Sequence, residues 1–597
     1  MPQSGSAQDA QIAALQSLVE KLRRRIDFVE QSRFWKLRAL WFALKARFGL
    51  RHDLEPPLPA YEYVESMDAA DSYTRWLIGY EPRAADLRRL RRIAQTLERR
   101  PSICIIVDDA SGTAANAIGA VKAQVYPWAC LLCTSEVSRD KDAASRFNAA
   151  LEACRDEFVA FCDPDEFLTP DACFEVAVAH CELPDADVIY GDRDIVGSNG
   201  QRAKPLFAPD WSPETFLSQM YTGRLIFYRR EAVVSAGGFR LGFGTALHYD
   251  LALRITERSK SIEHRSHMLY HEQEDGREAT DQRDAARAIS SALERRGEQG
   301  RVEHPYAGVD SNIVRYSITR PGRVEIILPT RDLPNFLDSC LTSIFTHTSY
   351  QHFRVNVVDN GSVELATAGV LSAWKAREPE RFRVMRLDQP FNFSRLVNVA
   401  SRSCDGPYLL LLNNDTEIIT ADWIEAMLEQ AQRTPIGAVG ARLLYEDGAV
   451  QHAGVVVGSA GLVGHIYRHA APGDPGPGDA IVTVRNYSAV TAACLMVRRD
   501  LFEEVAGFDE RLAIEFNDVD FCLRLLHLGY RNVYLPHVML LHYESKSRGA
   551  SGSSSKYARN VADQILFRER WQTSGYQDRY YNCNLTTTAN YGAIAPP

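Results

Sequence analysis

Four absences bound the chemistry before any motif is read. No stretch of the 597 residues approaches the roughly 18 consecutive apolar residues of a membrane-spanning helix, and the opening MPQSGSAQDAQ carries no secretory pattern. Excess basic charge is missing too: 68 Lys and Arg stand against 77 Asp and Glu, a net charge of -9, which gives no reason to expect nucleic acid. There is no Walker A lysine motif, no GxGxxG and no GxSxG. A phosphate-bearing ligand is therefore neither held as in an ordinary ATPase nor a dinucleotide. The twelve cysteines are scattered, and Cys130 and Cys133 form a lone CxxC without a second pair or histidines at zinc spacing. Buried thiols are expected rather than metal or disulfides, which fits a reducing cytoplasm.

What is present has the balance of a soluble globular protein, 45% apolar and 24% charged, and the length calls for two or three domains. The first segment differs from the rest. Ile12, Leu15, Val19, Leu22, Ile26 and Val29 alternate spacings of three and four, a heptad seam. It suits a coiled coil and hence a homodimer, or an intramolecular helical hairpin. In FWKLRALWFALKARFGLR, Leu37, Trp41, Leu44 and Phe48 form one stripe, with Lys36, Arg38, Lys45, Arg47 and Arg51 off it. That amphipathic helix suits the anionic surface of an inner membrane, or packing on its own domain. EPPLPAY then reads as a linker.

From about Arg100 apolar strands alternate with helical periods, and after the helix DAARAISSALERRG and the turn RPGR the same programme restarts. Two successive β/α units predict duplicated domains with largely parallel sheets. Ligand groups in such sheets gather at the carboxyl ends of strands, which here carry Thr330, Asp332, Asp359 and Asp415. Asp415 follows YLLLLNN, and a lone carboxylate there, helped by substrate phosphates, suits Mg2+ or Mn2+; turn formation is the plainer alternative. His542 ends the run VMLLH and offers an imidazole to the same ion, or is a satisfied edge residue. Lys546 and Arg548 lie in a Gly/Ser-rich stretch that suits a cationic lid over a diphosphate, or a solvated loop. In IEFNDVDFCLR, Glu515, Asp518 and Asp520 precede helical spacing. Residues two apart on a helix diverge by roughly 200°, so Asp518 and Asp520 cannot serve one site alike. Capping and helix-dipole stabilisation account for such acids without any reaction.

Eight segments occur in an order that carries a resemblance: ILPTRD, VVDNGS, PFNFSRLVNVA, LLLLNNDTEI, VGARLLYEDGAVQHAGVVVG, SAVTAACLMVRRDLFEEVAGFDE, FNDVDFCLR and HYESKSRG, with the tail DRYYNCNL. The span 321–549 resembles a family 2 glycosyltransferase of the GT-A fold, of the bacterial rhamnosyl- and polysaccharide-type. That resemblance implies inverting transfer of a sugar from a nucleotide-diphosphate sugar to a hydroxyl of a surface glycan or lipid-linked saccharide. By position it assigns Thr330, Arg331, Asp332, Asp359, Asn414, Lys546 and Arg548 to the donor. It assigns Asp415 and His542 to the metal or diphosphate, Asp518 to the catalytic base, and Glu515 and Asn517 to the acceptor. Asn413 and Asn414 depart from the more acidic DxD of the family.

The region from Ile103 to His271 resembles the same family in KDAASRFNAALEACRDEFVAFCDPDEFLTPDA, DADVIYGDRD, AGGFR and YDLALR. It keeps a DxD in Asp163 and Asp165 but lacks the nucleotide contacts, and His248 stands at the base position. A vestigial, acceptor-binding or structural domain is expected there. The expected architecture is α/β: a helical segment at 1–55, a helical linker at 56–99, a degenerate GT-A-like domain at 100–275, a linker helix at 276–320, a catalytic GT-A domain at 321–549 and a tail at 550–597. The alternatives are two active domains, a carbohydrate-binding scaffold, or a hydrolase that uses water as acceptor.

Overall fold

In the computed structural model, residues 69–274, 280–458, 462–543, 554–586 and 593–595 are described. The expected coiled coil, the basic amphipathic helix, Lys546 and Arg548 all lie outside the described residues. Among those that are described, no helix is long and apolar enough to cross a membrane.

Two sheets of the same design follow one another. The first uses β1 (Ile103–Val107), β2 (Ala129–Cys133), β3 (Phe158–Cys162), β4 (Glu166–Leu168), β5 (Val188–Val196), β6 (Arg202–Leu206), β7 (Phe227–Arg229) and β8 (Ile262–Gln273). Its strands lie in the order β2-β1-β3-β7-β5-β8-β4, with β6 on β5. A helix, Gln282–Arg296, and a hairpin of β9 (Gly300–Glu303) and β10 (Ile313–Tyr316) lead to the second sheet. There stand β11 (Val324–Thr330), β12 (Phe353–Asp359), β13 (Phe382–Arg386), β14 (Tyr408–Leu412), β15 (Thr416–Ile418) and β16 (Ile436–Leu444). β17 (Val450–His452), β18 (Val455–Val457), β19 (Val463–His465), β20 (Arg485–Tyr487), β21 (Cys494–Arg498) and β22 (Arg531–His542) complete the set. The order is β13-β12-β11-β14-β21-β16-β22-β15, with β17 on β16, β20 on β22, and β18 paired with β19 alone.

The central strands ICIIV, FVAFC and YLLLL are apolar throughout and buried along their length, because helices cover both faces. One expectation is corrected: the sheets are mixed. β11, β12, β13 and β14 run parallel, but β21 returns antiparallel between β14 and β16, as β7 does between β3 and β5. Those return strands are short, and periodicity alone does not disclose their direction.

The duplication extends to individual hydrogen bonds. Asn148 donates to the Phe239 carbonyl and accepts from its N–H, at 2.9 and 2.8 Å; Asn398 does the same with Phe508, at 2.8 and 2.9 Å. Arg254 binds Asp250 one helical turn back and the carbonyls of Ala236 and Gly238. Arg524 repeats this with Asp520, Val505 and Gly507. The copies therefore share a scaffold, and their differences concentrate at the strand tips.

Candidate functional site

The tips of β11 and β12 form the first wall of a cleft in the second sheet. Thr330 Oγ1 accepts from Asn414 Nδ2 at 2.9 Å, tying the end of β11 to the loop after β14. Asp332 and Leu333 then take φ of 53° and 55°, a left-handed pair that bends the chain sharply into the helix Pro334–His347. Asp332 Oδ1 accepts from the N–H groups of Val363 and Glu364 at 2.8 and 2.9 Å, and these bonds hold its carboxyl below the usual range. Asp359, at the tip of β12, accepts from Ser362 N–H at 2.8 Å and meets Arg386 at 3.1 Å. Arg331 projects outward, its side chain 57% exposed. These residues do converge on one strand-tip ledge, and Asp332 and Asp359 also serve as the staples that shape it.

The next wall is the tip of β14. Asp415 is buried, and its Oδ1 lies 3.3 Å from His542 Nε2, brought there by the β15–β22 pairing of Thr416 with His542. Gln451 Nε2 donates to the His542 carbonyl at 3.0 Å, so its Oε1 faces His542 Nδ1 at 2.6 Å and accepts a hydrogen bond from the ring N–H. The ring is thereby fixed as the Nδ1–H tautomer, with the Nε2 lone pair turned toward Asp415 and Asn413. Ligands adjacent on one ion at ~2.1 Å stand about 3 Å apart, so this carboxylate and imidazole fit a shared Mg2+ or Mn2+. Gln451 is the supporting partner of that pair. It was not anticipated; it sits inside AVQHAG without any local sign of its target.

Asp518 completes the group. It occupies the first turn of the helix Asn517–His527, entered through Phe516 at a φ of 63°. Its Oδ2 accepts from Ala492 N–H at 3.0 Å, and the neighbouring Ala493 carbonyl accepts from Asn413 N–H at 3.1 Å. The half-buried Asp518 carboxylate is thus one residue away, along the backbone, from the loop that carries Asp415. Asp520 points the opposite way, fully buried and bonded to Arg524, Arg570 and Trp571. The Asn517 side chain is buried and bonded to the Ile514 carbonyl and the Asp518 N–H. It positions the helix start. Glu515 is half-buried at the same turn, its N–H held by Asp563 at 3.1 Å.

In the first sheet Asp163, Asp165 and His248 also come together, but with an arginine among them. Arg224 lies 3.1 Å from Asp163, 2.8 Å from Asp165 and 3.3 Å from Glu166. His248 Nε2 is 3.2 Å from Asp163. Burial pushes the Glu166 carboxyl up to about 8, with Arg224 pulling the other way.

The profile described as "Glycosyl transferase family 2" matches residues 87–247 and 325–505. An O-antigen biosynthesis protein of Myxococcus xanthus is 35% identical over 556 residues, 87% of this chain and 43% of its own length. An uncharacterized Sinorhizobium fredii protein is 35% identical over 474 residues, 75% of this chain and 51% of that protein. The chain thus spans about half the length of these relatives. An N-acetylglucosaminyl-diphospho-decaprenol L-rhamnosyltransferase of Mycobacterium tuberculosis is 31% identical over 161 residues, 25% of this chain and 50% of that one. A solved mannosyltransferase from Pyrobaculum calidifontis overlaps 44% of this chain and 67% of its own at 15% identity and a TM-score of 0.32, too loose an overlap to bear on ligands. With the family profile matching both repeats, across more than half of the residues, the chain belongs to glycosyl transferase family 2.

Proposed function

We propose that the protein is an inverting glycosyltransferase whose active site lies in the second domain. Its donor is a nucleotide-diphosphate sugar, and its acceptor is a hydroxyl of a growing surface glycan or lipid-linked saccharide. The observation that carries this reading is the placement of Asp518: an ionisable carboxylate hung on Ala492, beside the loop that bears Asp415 and faces His542.

Thr330, Asp359 and Asn414 line the donor ledge, which Asp332 braces. Asp415 and His542 would hold a divalent ion, which when bound supplies positive charge to the diphosphate. Asp518 takes the proton of the acceptor hydroxyl as that oxygen bonds to the anomeric carbon. The bond from that carbon to the diphosphate oxygen breaks in the same displacement, the nucleoside diphosphate departs, and configuration inverts. Asp518 stands in the first turn of the helix Asn517–His527, on the side of the loop that carries Asp415.

The test is nucleoside diphosphate release from a panel of nucleotide sugars with Mg2+ or Mn2+, with and without lipid-linked acceptors. Acceptor-dependent release that disappears in Asp518→Asn is expected. Undiminished release in that variant would overturn the base assignment. The corresponding setting is the cytoplasmic face of the inner membrane, where lipid-linked acceptors and nucleotide sugars meet.

A further inference from the structure

The two sheets can be superposed by register alone. Ala160 of β3 pairs with Phe227 of β7, and Leu410 of β14 pairs with Met496 of β21. Five residues beyond Ala160 and Leu410 stand Asp165 and Asp415; three before Phe227 and Met496 stand Arg224 and Ala493. The segment leading into this strand therefore carries an alanine in the second domain where it carries an arginine in the first. The other edge changes as well. Thr416 pairs with His542, whereas Glu166 pairs with Glu272, so an acid holds the place of the imidazole.

We infer that Arg224 is a built-in replacement for a divalent ion in the first domain, so that the cleft of Asp163 and Asp165 takes up no metal of its own. The donor set there does not fit a metal as it stands. All three nitrogens of the guanidinium are directed at carboxylates: Nη1 at Asp163, Nη2 at Asp165 and Nε at Glu166. The remaining acid, Glu272, meets Arg193 at 2.8 Å, and His248 closes on the free oxygen of Asp163. An incoming ion would have to expel a cation already bound at three points in a pocket where Arg224 is 21% and Glu166 0% exposed. The same geometry leaves no surplus positive charge for a diphosphate, because the arginine is spent on acids of its own domain. The base position fares no better: His248, which stands where the second domain has Asp518, is itself paired to Asp163. The inference rests on reading the Asp415 and Asp165 positions as metal positions.

The experiment counts Mn2+ bound to the full chain, by the electron paramagnetic resonance signal of free Mn2+ during a titration. Asp163→Asn/Asp165→Asn is expected to bind as many ions per chain as the parent. Arg224→Ala is expected to bind one more, and combining it with the Asp163→Asn/Asp165→Asn pair should remove that gain. Loss of one equivalent in the Asp163→Asn/Asp165→Asn protein would overturn the inference, because it would show a metal there already. Absence of any gain in a folded Arg224→Ala protein would overturn the claim that the arginine is what fills the place. If Arg224→Ala fails to fold, Arg224→Gln takes its place in the same titration, and the Asp163→Asn/Asp165→Asn arm decides whether the first cleft holds a metal. The counts do not depend on turnover, so an active Asp518→Asn protein would defeat the transferase site and leave this inference standing.

Discussion

At the scale of single residues, two acids in one helical turn have opposite fates. Asp520 satisfies Arg524, Arg570 and Trp571 from a fully buried position, while Asp518 has its Oδ2 on one backbone N–H at the cleft. Asp518→Asn should keep the fold and donor affinity and lower transfer by roughly 10²–10⁴-fold, the usual worth of a general base, measured as acceptor-dependent turnover beside donor binding. Asp520→Asn should instead cost about 1.5–3 kcal/mol, seen as a lower unfolding midpoint, since it removes the charge from a fully buried acid shared by the half-buried Arg524 and Arg570. Helical geometry alone shows that the pair must diverge. Which member turns inward depends on Arg570, fifty residues further along, and that partner cannot be read locally. Gln451 presents the same difficulty. Gln451→Leu should free the His542 ring and weaken Mn2+ binding by about 10–100-fold, a shift that titration of the ion without any sugar would detect.

At the scale of elements, strand tips were the informative places and loop contacts the silent ones. Apolar runs such as YLLLL and VEIILPT announce central strands, and the residue types at their ends announce a ligand edge. The direction of β21 was not legible, nor was the use of Asp332 as a staple. Its carboxylate spans two loops, one after β11 and one after β12, through the N–H groups of Val363 and Glu364. Asp332→Ala should therefore loosen the whole donor ledge. Losing two such hydrogen bonds, each worth about 1 kcal/mol, predicts a rise in donor KM of roughly tenfold or more, with kcat less affected. An unchanged KM would mean that the loops keep their shape without the staple. Where the two copies share a hydrogen bond, as at Asn148 and Asn398, the element is scaffold; where they differ, as at Arg224 and Ala493, the difference falls beside the strand tips.

At the scale of the whole chain, the two domains are joined by buried charge rather than by a flexible tether. Glu214 of the first domain is 3% exposed and makes two 2.7 Å bonds to Arg531 of the second, with Asn486 at 2.9 Å and Arg433 at 3.4 Å. The tail adds a second bond: Asp578 accepts from Val457 N–H and Ser488, while Asn582 donates to Asp192 at 2.8 Å. The first domain is thus packed against the second through buried polar contacts from Glu214 and from the tail. The Glu214 bridge also carries a pH signature. Burial works against its charge, but Arg531 and Arg433 outweigh it and hold the carboxyl down to about 2, against 4.5 for a free glutamate. A depressed folded value means that the stabilisation is fully present above about pH 4.5 and drains away as pH falls toward 2. The difference in pKa corresponds to roughly 3 kcal/mol. Glu214→Gln should therefore lower the midpoint of the first unfolding transition clearly at pH 7, and the gap from the parent should shrink below pH 4.5 and largely close by pH 2, where the parent glutamate is about half protonated even in the folded chain. A gap that stays constant across that window would show that shape, and not the charge on Glu214, holds the two domains together.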